Sequence, residues 1–364
     1  MSAHTEGRIR IRIFRPADGD RAGGLDVRIV SSRPVNAGKL FEGREPRHVP
    51  ALVPSLFAVC GMAHLLAARL ALGIEDDGRT HRVARAALAE TAREHVLHMA
   101  LALGEPRALA PARALMDLPR GMLQDDAGDG ARELEHVLEN DVFGMPPGSW
   151  LEMDGLRKLR DWAAKTDALA ARWIAPMLRE PMAGAGGAEC RPLERLNGEF
   201  AAGMLHGPRH EDFMAHPELD GAPAETGPHA RHHAHPLVAA ARRAHGPGLL
   251  ARAIARLVDL ARIPGERRQE GPWAAATIGD IRVAQVDSPR GLLVHSARSD
   301  GRRVAEYRIL APTEWNFHPR GVARRAIASL HVIGDDGKLE TTAHAVAEAV
   351  DPCVGLDIRV MRHA

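Results

Sequence analysis

The stretch Asp351-Pro352-Cys353-Val354-Gly355-Leu356-Asp357-Ile358-Arg359 organises the reading of this chain. Asp351-Pro352-Cys353 is a turn that stops the alanine-rich run from Thr342 to Val350 and presents a thiol. Proline cannot continue a helix, and it disfavours helical geometry at the residue before it. The thiol to set beside it is Cys60, far upstream in Leu56-Phe57-Ala58-Val59-Cys60-Gly61-Met62-Ala63-His64. Only a tertiary fold that joins the two ends of the sequence makes the two thiols one site. Taken alone, they read as two separate buried cysteines.

The chain has 364 residues, formally about two domains at ~150 residues each, although length does not settle the count. Its 48 Lys+Arg against 47 Asp+Glu leave a net charge of +1, which argues against nucleic acid or an anionic membrane as the main partner. Three cysteines, Cys60, Cys190 and Cys353, are too few for a disulfide framework. The opening Met1-Ser2-Ala3-His4-Thr5-Glu6-Gly7-Arg8 lacks the apolar core of a signal peptide, so a reducing cytoplasm is expected. The most apolar window, Val53 to Ile74, carries His64 and Arg69 where a membrane span needs roughly 20 apolar residues. It reads as a buried helix from Leu56 to Leu72, and no membrane span is expected.

Residues Gly7 to Phe14 alternate with a period of two, which suits a strand with one wet face, and Gly23-Gly24 turns into a partner strand from Leu25 to Val30. Thr80 to Leu103 carries a helical apolar stripe, and shorter helices are expected at Ala131 to Leu138 and Asp154 to Ala175. Residues 181–235 form an irregular segment rich in Gly, Pro and His. Pro236 to Ile263 is helical, with an interruption at Gly246-Pro247-Gly248. Alternation at Ile278 to Val286, Leu292 to Ala297 and Val304 to Leu310 predicts a small antiparallel sheet. Helices at Val322 to Leu330 and Thr342 to Val350 follow.

Several short segments, in chain order, resemble the large subunit of nickel-iron hydrogenases. Thr5-Glu6-Gly7-Arg8-Ile9-Arg10-Ile11 is similar to the family's opening Glu-Gly-His-Leu strand, and Gly43-Arg44-Glu45-Pro46 to its Gly-Arg-Asp-Pro. Leu56 to His64 aligns without a gap on Cys-Gly-Val-Cys-x-x-x-His. Glu94-His95-Val96-Leu97-His98 resembles a helix that follows that motif. Glu225-Thr226-Gly227-Pro228-His229-Ala230-Arg231 resembles Glu-Val-Gly-Pro-Leu-Ala-Arg, and Ser288-Pro289-Arg290-Gly291 resembles Ala-Pro-Arg-Gly. Pro312-Thr313-Glu314-Trp315-Asn316 resembles Pro-Thr-x-Trp-Asn, and Asp351-Pro352-Cys353 opens the terminal Asp-Pro-Cys-x-x-Cys-x-x-His. The resemblance implies one α+β unit over residues 1–364, mostly helical, with small peripheral antiparallel sheets and the two ends of the sequence meeting at Cys60 and Cys353.

The departures from that pattern matter as much. The family's four thiolates hold nickel and an iron carrying two cyanides and one carbon monoxide. Here Phe57 stands at the first cysteine and Leu356 at the fourth, and neither side chain can donate an electron pair to a metal. Arg359 replaces the terminal His, and nothing comparable to the family's cleavable extension follows it. Hydrogen activation is therefore not expected, and no catalytic residue is assigned. A large-subunit-like chain with cysteines missing resembles the HupK/HoxV type of hydrogenase accessory protein. That resemblance implies a non-enzymatic scaffold for a transient iron-dicyano-carbonyl fragment, without nickel. Its expected partners are Hyp-type accessory proteins and the hydrogenase apo large subunit. A reading from another class is a degenerate, metal-free subunit like the quinone-reductase relatives of the large subunit.

On this resemblance Cys60 and Cys353 are the metal ligands, and Arg290, on the Pro289-Arg290-Gly291 turn, donates to cyanide nitrogen with Thr313 beside the same ligands. His64 and Glu6 support the site, His64 by orienting Cys60 and Glu6 as a carboxylate bonded to backbone amides. The histidines His206, His210, His216, His229, His232, His233 and His235 fit no defined ligand spacing and read as a solvated loop. Cys190 has no counterpart in the motifs.

Overall fold

The structure, a computed structural model, describes residues 7–16, 24–74, 77–124, 128–266, 273–330 and 335–361. Strand β1 (Arg8–Phe14) buries Ile9, Ile11 and Ile13 and turns its arginines outward, as its alternation predicts. It pairs antiparallel with β2 (Asp26–Ser31); Gly23, part of the predicted turn between them, lies outside the described residues. A short 3-10 turn over Ala37–Phe41 leads to helix α1 (Val49–Leu56), α2 (Gly61–Ala71) and the long α3 (Asp77–Leu103). The predicted helix from Leu56 to Leu72 is thus broken at Phe57–Cys60. Continuous apolarity hid the break, since a helix buried on most sides carries no stripe to interrupt.

Helices α4 (Leu109–Ala114), α5 (Leu118–Gly121), α6 (Asp129–Val137), α7 (Pro147–Leu151), α8 (Leu156–Lys165) and α9 (Leu169–Ile174) follow. The single helix expected from Asp154 to Ala175 is two, because Thr166 to Ala168 run extended. The segment 181–235 is not irregular throughout. It carries strand β3 (Arg191–Pro192), helices α10 (Gly198–His206) and α11 (His210–Ala215), strand β4 (Ala224–Glu225) and helix α12 (Pro228–His232). Asn197 caps α10 by accepting from Phe200 N at 3.0 Å, a local signal that the surrounding glycines and prolines obscured.

Helices α13 (Pro236–His245) and α14 (Leu249–Glu266) are separated at Gly246, as expected. The antiparallel sheet comprises β5 (Trp273–Ile278), β6 (Ile281–Ser288), β7 (Gly291–Ser299) and β8 (Val304–Leu310), in that order, one strand more than the alternation predicts. Its strand β7 is buried from Gly291 to Ala297, and α2 packs across β6 and β7. Helices α15 (Pro312–Asn316), α16 (Val322–Ala328) and α17 (Asp336–Val350) precede the last strand, β9 (Gly355–Met361).

Strand β9 positions the site. It lies parallel to β1, pairing Arg8 with Gly355 and Ile11 with Ile358, so the sheet order is β2-β1-β9. Arg12 ties the two strands from the side, donating to the Asp357 carboxylate at 2.7 Å. The α+β class and the meeting of the two ends of the sequence are as expected; the parallel pairs β1–β9 and β3–β4 are additions to the antiparallel sheets. One apolar core lies among α2, α3, α14 and the face of the four-stranded sheet that they cover. A second joins β1, β2 and β9 to α16 and α17, and a third lies under α10 and α11.

Candidate functional site

Cys60 is the residue before α2 and sits in the left-handed region, φ 59°. A non-glycine there is uncommon and is held by its surroundings. The holding group is Glu90 of α3, which accepts from Met62 N at 3.0 Å and from Ala63 N at 3.2 Å, satisfying the free N–H groups at the start of α2. Burial pushes this carboxyl up to about 6, against the pull of the two amides.

Cys353 is placed by a second backbone device. Asp351, φ 64°, ends α17, and its carboxylate accepts from Arg256 Nη1 at 2.8 Å and lies 3.5 Å from Arg290 Nε. Burial alone would raise the Asp351 carboxyl; the two guanidiniums outweigh it and hold it well below the usual carboxylate range. Pro352 then leads the chain through Cys353 into β9, against β1.

The two devices open onto one cavity of about 530 Å³ lined by Cys60, Cys353, Arg290 and His64, with Arg33 in the same wall. Arg290 donates from Nη1 to Cys60 Sγ at 3.4 Å and to Glu94 Oε2 at 3.2 Å, and from Nε to the Pro352 carbonyl at 3.3 Å. The Thr313 hydroxyl donates to Cys353 Sγ at 3.0 Å. Phe57 and Leu356 line the cavity too. The Phe57 ring stacks on His64 with centroids 3.8 Å apart. Burial pushes the Cys60 thiol up, and Arg290 opposes it. The lining thus brings two soft sulfur donors together with two guanidiniums, each paired with carboxylates, and the Glu348 carboxyl.

The sequence-predicted residues Cys60, Cys353, Arg290, Thr313 and His64 are therefore brought together. Pro289 is buried in the β6–β7 turn behind Arg290, away from the lining. Glu6 lies outside the described residues. The histidines do not converge and do not form a solvated loop. His206 bonds Glu306 and Ser296, each at 2.9 Å; His232 bonds Asp259 at 2.6 Å; His229 faces Glu225 at 3.2 Å. No group of three or more His, Cys, Asp or Glu side chains poised for a metal occurs among the described residues. Cys190 is half-buried, its Sγ 3.6 Å from the Pro223 carbonyl, and burial pushes its thiol up to about 11.

Sequence reasoning missed Arg33, which pairs with Glu314 at 2.5 Å at the cavity wall, and the groups behind His64: its partner His295 on β7, and Tyr307 on β8, which bonds His295. None carries a local spacing signal, because each partner comes from a different element.

No family model matches the chain. The hydrogenase expression/formation protein HoxV of Cupriavidus necator is 30% identical, covering 90% of this chain and 91% of its own. The corresponding protein HupK of Rhizobium leguminosarum bv. viciae is 28% identical, covering 94% and 95%. HupK of Azotobacter vinelandii is 26% identical, covering 98% of each. Among solved structures, an NAD+-reducing NiFe hydrogenase in the H2-reduced state superposes with a TM-score of 0.54 at 17% identity, covering 91% of this chain and 92% of that one. The Ni-Fe-Se hydrogenase of D. vulgaris Hildenborough gives 0.56 at 16%, covering 91% and 94%. At these identities the likeness to the solved structures is one of fold, that of the hydrogenase large subunit.

Proposed function

This chain belongs to the HoxV/HupK family of hydrogenase expression/formation proteins, and from that premise we propose that it is a non-enzymatic scaffold that holds an iron-dicyano-carbonyl fragment on its way to a hydrogenase apo large subunit. Family membership supports a role in hydrogenase maturation. The finer reading is supported by one observation: Cys60, Cys353 and Arg290 line a single cavity, together with Phe57 and Leu356, the two residues that the resemblance aligns with further thiols.

In this reading the two thiols lose their protons as iron enters, since the thiolate is the soft donor that such a metal selects. Arg290 keeps Nη1 and Nε on Cys60, Glu94 and the Pro352 carbonyl, and its Nη2 is left to donate to cyanide nitrogen. Arg33, paired with Glu314, lines the same wall. Apolar side chains at the other two positions leave no full set of ligands for nickel. Attachment through two sulfurs is weak enough for release, which suits a carrier passing cargo from Hyp-type accessory proteins to the large subunit.

The test is an infrared spectrum of the protein purified without oxygen from cells that contain the hydrogenase accessory genes. Cyanide and carbonyl stretches are expected, and they should vanish in Cys60→Ala and in Cys353→Ala while the circular dichroism spectrum stays unchanged. A blank spectrum from folded protein overturns the scaffold reading, and a permanent complex with an iron-sulfur small subunit would replace it with the degenerate-subunit reading.

A further inference from the structure

Three buried polar side chains form a line that runs from the cavity wall into the core. His64 on α2, His295 on β7 and Tyr307 on β8 are 6%, 0% and 1% exposed. His64 Nδ1 lies 2.9 Å from His295 Nε2, and His295 Nδ1 lies 2.7 Å from the Tyr307 hydroxyl. The Tyr307 ring is fixed edge-on by Phe41 at 4.9 Å, and the His64 ring is fixed by the Phe57 stack at 3.8 Å. Among the described residues no carboxylate bonds the polar side-chain atoms of the three, and burial disfavours a charge on either imidazole, so both are neutral.

A neutral imidazole has one donor and one acceptor nitrogen, so each bond in the line fixes the next. Two directions are possible. In one, His64 donates from Nδ1 to His295, which donates to the tyrosine oxygen; the Tyr307 O–H is then buried with no acceptor. In the other, the Tyr307 O–H donates to His295 Nδ1, and His295 Nε2–H donates to His64 Nδ1. All buried groups are then satisfied, as buried polar groups are in folded proteins. The second direction leaves the proton of His64 on Nε2. That atom has no protein partner among the described residues and is not sealed from the cavity that the ring lines.

We infer that the Tyr307 hydroxyl, acting through His295, sets His64 as an Nε2–H hydrogen-bond donor into the cavity beside Cys60. Tyr307 and His295 are positioning residues; His64 is the group that meets the occupant. The identity of the acceptor rests on the scaffold reading above: it is an electron pair on the iron fragment, at cyanide nitrogen or at a coordinating sulfur. The direction of the line is independent of that reading.

The experiment is nitrogen-15 NMR of the metal-free protein labelled at histidine, with the His64 signals assigned by their absence in His64→Gln. Long-range proton–nitrogen couplings report which ring nitrogen is protonated. The expected spectrum has His64 protonated at Nε2. Protonation at Nδ1 overturns the proposal, whatever the cargo is. Tyr307→Phe keeps the ring against Phe41 and removes the source of the line, so a population with His64 protonated at Nδ1 should appear; an unchanged spectrum would strip Tyr307 of its role. If that variant does not fold, the wild-type spectrum alone decides.

In protein carrying the iron fragment, Tyr307→Phe should move the infrared bands. Movement of the cyanide bands alone identifies cyanide nitrogen as acceptor. Movement of cyanide and carbonyl bands together identifies a sulfur, whose electron density reaches all the ligands through iron. Unmoved bands, with the changed His64 tautomer verified, show that His64 does not meet the cargo. Absence of any cyanide band with the tautomer as expected sinks the scaffold reading and leaves the polarised line standing.

Discussion

At the scale of single residues, the cavity is defined by what stands at two positions as much as by its thiols. Phe57 is only partly buried and stacks on His64; Leu356 packs at the edge of the second core. Replacing both by cysteine restores four thiols around one space. The double variant Phe57→Cys/Leu356→Cys should retain close to one zinc or nickel ion per chain after desalting, where the wild type retains almost none, as read by inductively coupled plasma mass spectrometry. It should lose roughly 1–3 kcal/mol of stability with the aromatic contact. Equal metal content in the two proteins would mean that Phe57 and Leu356 do not occupy ligand positions. Cys60, Cys353 and Arg290 were legible because each lies in a short motif whose residues are consecutive in the sequence and resemble the hydrogenase large subunit; of the three, only Asp351-Pro352-Cys353 and Pro289-Arg290-Gly291 also read locally as turns. Arg33 and Glu314, or His295 and Tyr307, were not, because only the folded arrangement makes them neighbours.

At the scale of elements, the break between α1 and α2 and the β6–β7 turn aim the side chains. In that turn Gly291 has φ 136°, and an added Cβ would lie 2.6 Å from Thr226 Cγ2 and 2.9 Å from Gly227 N. Gly291→Ala should cost well over ~1 kcal/mol, being both strained and crowded, and it should shift Arg290 off Cys60. Urea unfolding checks the first part, and loss of the cyanide bands at a temperature where the variant is still folded checks the second. Glu90→Ala leaves the buried Met62 and Ala63 amides without their acceptor and should cost roughly 2 kcal/mol or more in the same assay. The legibility of the elements themselves followed their surroundings. Strand β1 has one wet face and shows its period; around the break Leu56 and Ala58 are exposed although apolar, so the sequence from α1 to α2 shows no polar residue where the helix stops. Strand β9 alternates Leu356, Ile358 and Val360 with Asp357 and Arg359, a period as clean as that of β1, but its one partner strand lies at the other end of the sequence, so no neighbouring hairpin marks it.

At the scale of the whole molecule, the fold rests on buried ionisable groups whose charge states are fixed by neighbours, and this sets a stability profile in pH. Burial holds His98 and His295 down to about 3, and it lowers His64 and His95 as well. Burial would raise the carboxyls of Glu225, Asp259 and Asp351, but the facing cations win: Arg252 and His229 hold Glu225 at about 2, and Arg231 with His232 and His95 holds Asp259 well below the usual range. For both sets the folded value lies below the unfolded one. Their stabilisation is complete above the unfolded values, ~6.5 for histidine and ~4 for carboxyls, and is lost as pH falls toward the folded values. Glu90, raised to about 6 by burial, runs the other way and softens the loss between ~4.3 and 6. The Cys60 thiol, also raised by burial, contributes stability that is present below ~8.5 and lost above it. The thermal midpoint should therefore be highest between roughly pH 6.5 and 8.5, fall gently below that window as histidines take up protons in the unfolded state, and fall steeply below about pH 4. Differential scanning calorimetry from pH 3 to 10 (about the accessible range for such a protein) reads the curve directly. A midpoint that rises as pH falls from about 6.5 to 4 would mean that the raised carboxyls outweigh the buried histidines.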